Sequence, residues 1–165
     1  MPNSNKINKI IEMYNLEPHI EGGYYKRYYE AENYVIKDNQ EQCKSGSAIY
    51  YLLTKKDYSR FHSISSDEIW HYYSGGILEI HEINIHGQYN IHYLGDKLKY
   101  SHAEFSICMK KGSIFAAKLH KGCYILSGCS LHPEFIMKDF RLYSYDEIIQ
   151  LYPKYITHIN KFYNK

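Results

Sequence analysis

Long apolar runs are missing from this sequence. No stretch approaches the roughly 20 residues that span a bilayer, and the N-terminus MPNSNKINK lacks the apolar region of a signal peptide. The expectation is a soluble, cytoplasmic protein with no membrane partner. An excess of one charge is missing too. The 20 basic and 18 acidic side chains give a formal charge of +2 with no polybasic run, so nucleic acid is not an expected partner. The four cysteines, Cys43, Cys108, Cys123 and Cys129, form no CxxC pair and no zinc-finger spacing. They read as reduced thiols, buried or half-buried. Cys123 and Cys129 share one face of a predicted strand but lie too far apart along it to bond. No internal repeat is visible.

What is abundant is tyrosine, 20 residues of it, alongside much Ile, Asn and Lys. Tyrosine suits half-buried strands, so the count reads as biased composition and carries no functional weight. A chain of 165 residues fits one domain, 1–165, with a core over about 16–143 and a helical tail over 144–165.

Ile7, Ile10, Ile11 and Tyr14 recur at helical spacing, which predicts a short amphipathic helix with Asn3 or Ser4 as its cap. LEPHIEGG, residues 16–23, is turn chemistry: Pro18 blocks helix, while Gly22 and Gly23 permit positive φ. Tyr24 to Tyr29 reads as a strand, and Asn33 to Gly46 as a loop or irregular hairpin. From Ser47 the chain becomes short strands separated by turns: 48–53, 60–64, 68–73, 77–85, 89–94, 104–109, 113–119 and 123–131. Gly75-Gly76 and Lys121-Gly122 are placed among the turns. So many short strands predict an all-β jelly roll, because closure removes exposed edges. Ser144 and Glu147 form a capping-box signature ahead of Ile148, Ile149 and Leu151, Pro153 ends that turn, and Ile156, Ile159 and Phe162 suggest a last short helix.

The blocks LEPHIEGGYYKRYY, SAIYYLLT, FHSISSDEIWHYYSGG, KKGSIFAA and YILSGCSLHPEF, in that order over most of the chain, resemble the branch of the cupin superfamily labelled DUF985 and described as predicted sugar epimerases. The resemblance implies a double-stranded β-helix of the RmlC-like kind. It also locates a pocket. His62, Glu68 and Gly75 fall on the general cupin first motif, but its second histidine is Ile64 here, and the histidine of the second motif is Phe115. A cupin iron or manganese site takes three histidines and a glutamate. His62 and Glu68 alone make at most a weak site, so no metal and no other cofactor is expected.

Strand alternation sends Glu68, Trp70 and Tyr72 to one face and His71 to the other, where His71 reads as an outer-face residue. His19 and Glu21 flank the glycine turn and can close one end of the barrel around a polar ligand, or simply satisfy the turn. Arg27 can anchor an anion or lie on a solvated strand face. Six further histidines, His81, His86, His92, His102, His120 and His158, read as surface residues.

Two functions follow. The first, implied by the family's epimerase label, is metal-free acid/base epimerisation or isomerisation of a sugar or sugar nucleotide. His62 would be its base, Tyr51 or Tyr124 its acid, and Glu68 an orienting group. The second is a non-catalytic module holding a small polar ligand, with Trp70, Phe115, His71, His19, Glu21 and Arg27 as contacts. A metal-dependent oxygenase is disfavoured by Ile64 and Phe115. A homodimer paired through edge strands is the expected assembly.

Overall fold

The computed structural model describes residues 2–163, with side chains described from Asn5 onward. Helix α1 (Pro2–Tyr14) is followed by β1 (Glu17–Pro18), β2 (Tyr24–Glu30), the hairpin of β3 (Tyr34–Ile36) and β4 (Gln42–Lys44), then β5 (Ser47–Thr54) and β6 (Tyr58–Ile64). The centre of the chain is β7 (Asp67–Ile83), β8 (Tyr89–Leu94), β9 (Ser106–Met109) and β10 (Ile114–His132), and it ends in β11 (Phe140–Leu142), α2 (Tyr145–Leu151) and α3 (Ile156–Ile159). Helix α1 begins ahead of both proposed caps, Asn3 and Ser4, whose side chains lie outside the described residues. Among the described residues, no helix is long and apolar enough to cross a membrane.

All strand pairings between named strands are antiparallel, and β10 organises them. Its first part, Ile114–Lys118, lies between β6 and β7; its second, Tyr124–Leu131, lies between β5 and β7. By changing neighbour half-way, the strand curls the sheet around a core that includes Trp70, Leu78, Ile80, Met109, Phe115 and Ile125. This is the jelly-roll architecture expected of the sequence.

One expectation is corrected here. Gly75-Gly76 and Lys121-Gly122 do not reverse the chain; they are irregularities inside β7 and β10, each of which runs on through the bend. The physical reason is close approach. A Cβ on Gly76 would lie 1.7 Å from the Lys121 carbonyl oxygen, and Gly75 (φ 108°) and Gly122 (φ 103°) adopt conformations that L side chains rarely take. Glycine pairs permit bends as readily as turns, and here the two strands remain paired across theirs.

Two smaller cores complete the body. Ile10 and Leu16 pack with Leu52, Tyr124 and Leu126, with Ile7, Ile11 and Tyr14 beside them, so the apolar stripe of α1 lies on the sheet as anticipated. The tail buries Ile148, Ile159 and Phe162 against Phe61, Ile83 and Tyr143. Ser144 accepts the Glu147 N–H at 3.3 Å while Glu147 accepts the Ser144 N–H at 2.8 Å, closing the anticipated capping box. That tail overturns a second expectation. His81 is not a surface residue: it is fully buried, edge-on to Phe162 at 4.8 Å, with its Nδ1 2.7 Å from the Tyr89 hydroxyl. The thiols differ as well. Cys43 and Cys129 are buried and Cys123 is half-buried, but Cys108, near the exposed edge of β9, is open to solvent.

Candidate functional site

The stretch PHIEGG forms a tight turn between β1 and β2. The His19 N–H donates to the Gly23 carbonyl at 3.0 Å and the Gly22 N–H to the His19 carbonyl at 3.1 Å. Gly22 sits at φ 125°, where a Cβ would meet the Tyr58 carbonyl oxygen at 2.2 Å, so only glycine lets the turn press against β6. The Tyr51 hydroxyl donates to the Gly22 carbonyl at 2.7 Å and fixes the turn from the other side. The result is that Glu21 points inward and is buried.

Inside, Glu21 meets β6. The Ser59 hydroxyl donates to Glu21 Oε2 at 2.5 Å, and His62 Nδ1 lies 3.6 Å from the same oxygen. His62 Nδ1 is also 2.7 Å from the Arg60 carbonyl, which can only accept. Nδ1 therefore carries the proton, and Nε2 is the basic nitrogen. Phe115, the cross-strand partner of His62 on β10, packs edge-on to its ring at 4.2 Å, and His62 is only 2% exposed.

Glu68 enters from β7, between β9 and β10. Burial, and secondarily the charge of Glu21, raise its pKa to about 8, so this carboxyl keeps its proton at neutral pH. The Cys129 thiol, hydrogen-bonded to it, is itself pushed well upward by burial. Burial lowers the pKa of His19. Its Nδ1 accepts the Glu21 N–H at 3.2 Å, so its Nε2 bears the hydrogen. Burial also raises Tyr51 well above its ordinary value, which keeps that phenol protonated.

These groups surround an inner cavity of 30 Å³, room for about one water. Above it lies an open groove of 290 Å³ reached by Lys26, Arg27, Tyr25 and Met137. His19, Ile49, Leu131 and Phe135 border both spaces and form the constriction between them. Arg27 is held at the groove by Glu30, 2.6 Å from its Nη1, and packs over the Phe135 ring at 5.8 Å.

The structure thus brings His19, Glu21, Tyr51, His62, Glu68 and Trp70 to one cavity, with Phe115 behind His62 and Arg27 at the groove. Two residues lie elsewhere. Tyr124 packs in the core under α1, beneath Lys6. His71 faces away from Glu68, with Nε2 3.0 Å from Ser130 Oγ and Nδ1 3.4 Å from Ser106 Oγ. Sequence reasoning missed Ser59, Cys129 and Phe135. Cys129 was legible in part, since it alternates with Leu131 on a predicted strand; nothing in the sequence singled out the other two.

A family profile, that of the cupin superfamily branch DUF985, matches residues 8–143. The chain is a cupin. A protein of Shewanella oneidensis is similar at 29% identity, with a TM-score of 0.84 over 94% of this chain and 95% of that one. A hypothetical protein from Leishmania major gives 24% identity and a TM-score of 0.88 over 94% and 97%. Oxalate decarboxylase from Bacillus subtilis shares the fold alone, at 9% identity and a TM-score of 0.56 over 88% of this chain and 36% of its own. No curated protein matches the sequence. The shared fold identifies small-molecule-binding architecture and leaves the chemistry to the site.

The metal that many cupins carry does not fit these residues. Ile64 presents a hydrocarbon side chain to the inner cavity and Phe115 is packed against His62, so neither position offers a donor. Among the described residues, no group of three or more His, Cys, Asp or Glu side chains is arranged to hold an ion.

Proposed function

We propose that this cupin carries out metal-independent acid–base chemistry, an epimerisation or isomerisation, on a sugar or sugar nucleotide. The observation that carries the reading is the meeting in one cavity of a His62 imidazole, its Nδ1 held by the Arg60 carbonyl, with a Glu68 carboxyl that keeps its proton at neutral pH. His62 removes the proton from the carbon next to a ketone, and Glu68 returns one to the opposite face. Glu68 thereby replaces tyrosine as the acid, because the Tyr51 hydroxyl is committed to the Gly22 carbonyl. Glu21 and the Arg60 carbonyl hold His62 in its tautomer. The groove takes the rest of the ligand, with Arg27 and Lys26 beside its anionic part. Incubation with keto-deoxy-sugar nucleotides in heavy water tests this: deuterium should enter at the carbon next to the ketone, and its absence over the whole panel would sink the proposal.

A second reading, ligand binding without turnover, is favoured by one fact. The inner cavity of 30 Å³ cannot admit a sugar ring unless His19 and Phe135 part, whereas the 290 Å³ groove can hold a ligand as it stands. The His62→Ala variant separates the two, since it abolishes exchange under the first reading and only weakens binding under the second. We further propose a cytoplasmic homodimer. Support for the pairing comes from Tyr28, Tyr29, Tyr34 and Ile36, which leave apolar surface exposed on β2 and the β3–β4 hairpin. Sedimentation equilibrium giving a monomer mass would remove it.

A further inference from the structure

The bends of β7 and β10 enclose a second concavity, of 480 Å³, unconnected with the cavity around His62. Roughly 20 Å of extended strand separates Gly122, at its edge, from Cys129 on β10. Lys6 from α1, Lys99 from the turn after β8 and Lys121 from the β10 bend converge on it, with Tyr100 and Tyr124 between them. Its floor is the bend itself, where Gly75, Gly76 and Gly122 offer backbone and no side chain. Among the described residues, no aspartate or glutamate lines it.

The partners of these lysines are unlike those of many others in the chain. Lys37, Lys44, Lys97, Lys110, Lys111, Lys118 and Lys138 each meet a carboxylate. Among the described residues, Lys6, Lys99 and Lys121 form no ion pair and lie over aromatic rings instead. The Lys6 ammonium is 5.3 Å from the Tyr124 centroid, and those of Lys99 and Lys121 are 5.4 and 4.8 Å from that of Tyr100. The acid of the same turn, Asp96, is engaged locally: its Oδ1 accepts the N–H groups of Leu98 and Lys99 at 3.1 and 3.3 Å. Two ammonium groups sharing one ring repel each other, and among the described residues no carboxylate lines the concavity to offset that repulsion.

We propose that this concavity binds a small ligand carrying two or more linked phosphates, either free or as the diphosphate of a nucleotide. Three converging ammonium groups match the charge of a diphosphate, and lysine binds phosphate as a point charge. A nucleic-acid strand would instead need a basic stripe along the surface, and the balanced charge of +2 does not provide one. The proposal is independent of any reaction at His62.

Calorimetric titration of the intact protein at low ionic strength tests it, with pyrophosphate, ADP and inorganic phosphate as separate probes. Pyrophosphate should bind, and more tightly than phosphate. The double variant Lys99→Ala/Lys121→Ala should weaken pyrophosphate binding about tenfold or more, since two charge contacts are lost. Both lysines are exposed, so this variant should keep the parent thermal midpoint. The control Lys55→Ala/Lys56→Ala, on the β5–β6 turn, should bind like the parent. ADP equal to pyrophosphate assigns recognition to the phosphates alone, while tighter ADP adds the nucleoside; both support the site. Undiminished binding by the Lys99/Lys121 variant, or equal loss in the control, would reduce the effect to diffuse surface attraction and overturn it.

Discussion

Glu21 and Glu68 face the same buried cavity from different elements, and the charge of the first strengthens the hold of the second on its proton. A carboxyl whose folded pKa is about 8 against an ordinary 4.5 retains a proton that the unfolded chain has already released. Its stabilising contribution is complete below about 4.5 and is lost as the pH rises through about 8. Across that window the limiting slope is about 1.4 kcal/mol per pH unit. Glu68→Gln removes this dependence, so the parent should lose stability relative to the variant between pH 5 and pH 9 in urea unfolding. A difference independent of pH would show that Glu68 is not held protonated.

The bend predicts an asymmetry between glycines. A Cβ on Gly76 would overlap the Lys121 carbonyl oxygen at 1.7 Å, and backbone cannot step aside as a side chain can. Gly76→Ala should cost about 3 kcal/mol or more, at the upper end of single substitutions. Gly87, at φ 71° in an open turn with its nearest neighbour 3.9 Å away, should cost about 1 kcal/mol when changed to alanine. Chemical denaturation of both variants checks the order.

Ile64 and Phe115 occupy the positions where cupins place metal-ligating histidines, and both adjoin His62 or its cavity. Introducing Ile64→His and Phe115→His together should create affinity for divalent manganese or cobalt where the parent has little. Affinity should rise with pH through the range where imidazole and the Glu68 carboxyl lose their protons. Metal titration against a chromophoric chelator measures it, and equal metal uptake by parent and variant would refute the assignment of those positions.

Ser144→Ala removes one half of the capping box that starts α2. The cost should be about 1 kcal/mol. Because Ile148 of that helix is fully buried in the core under the tail, the loss should appear as a lower global midpoint.

The sequence disclosed what alternation and turn chemistry control. DEIWHYY alone put Glu68 and Trp70 on one face and His71 on the other, and the spacing of Ser144 and Glu147 marked a helix start. It did not disclose what depends on distant pairing. A glycine pair fits a bend as well as a turn, so the continuity of β7 and β10 was hidden until their mutual crossing was known. His81 looks exposed until Phe162 of the tail is laid over it. The bond from Ser59 to Glu21 joins residues 38 apart, and no local pattern announces it.

Glu68, Trp70 and Cys129 stand on the two longest strands of the molecule, which pair with each other through the bend. His19 and Glu21 stand on a short turn, and Phe135 on a segment pinned by the hydrogen bond of its N–H to Ser47 Oγ at 3.0 Å. Native proteins open first where the fewest backbone hydrogen bonds need to break. The cavity therefore has a stiff wall of long paired strands on one side and a rim of short segments on the other. Amide exchange should be slow along β7 and β10 and faster at the turn that carries His19 and Glu21, so that the acid on β7 stays in register while the rim beside it breathes.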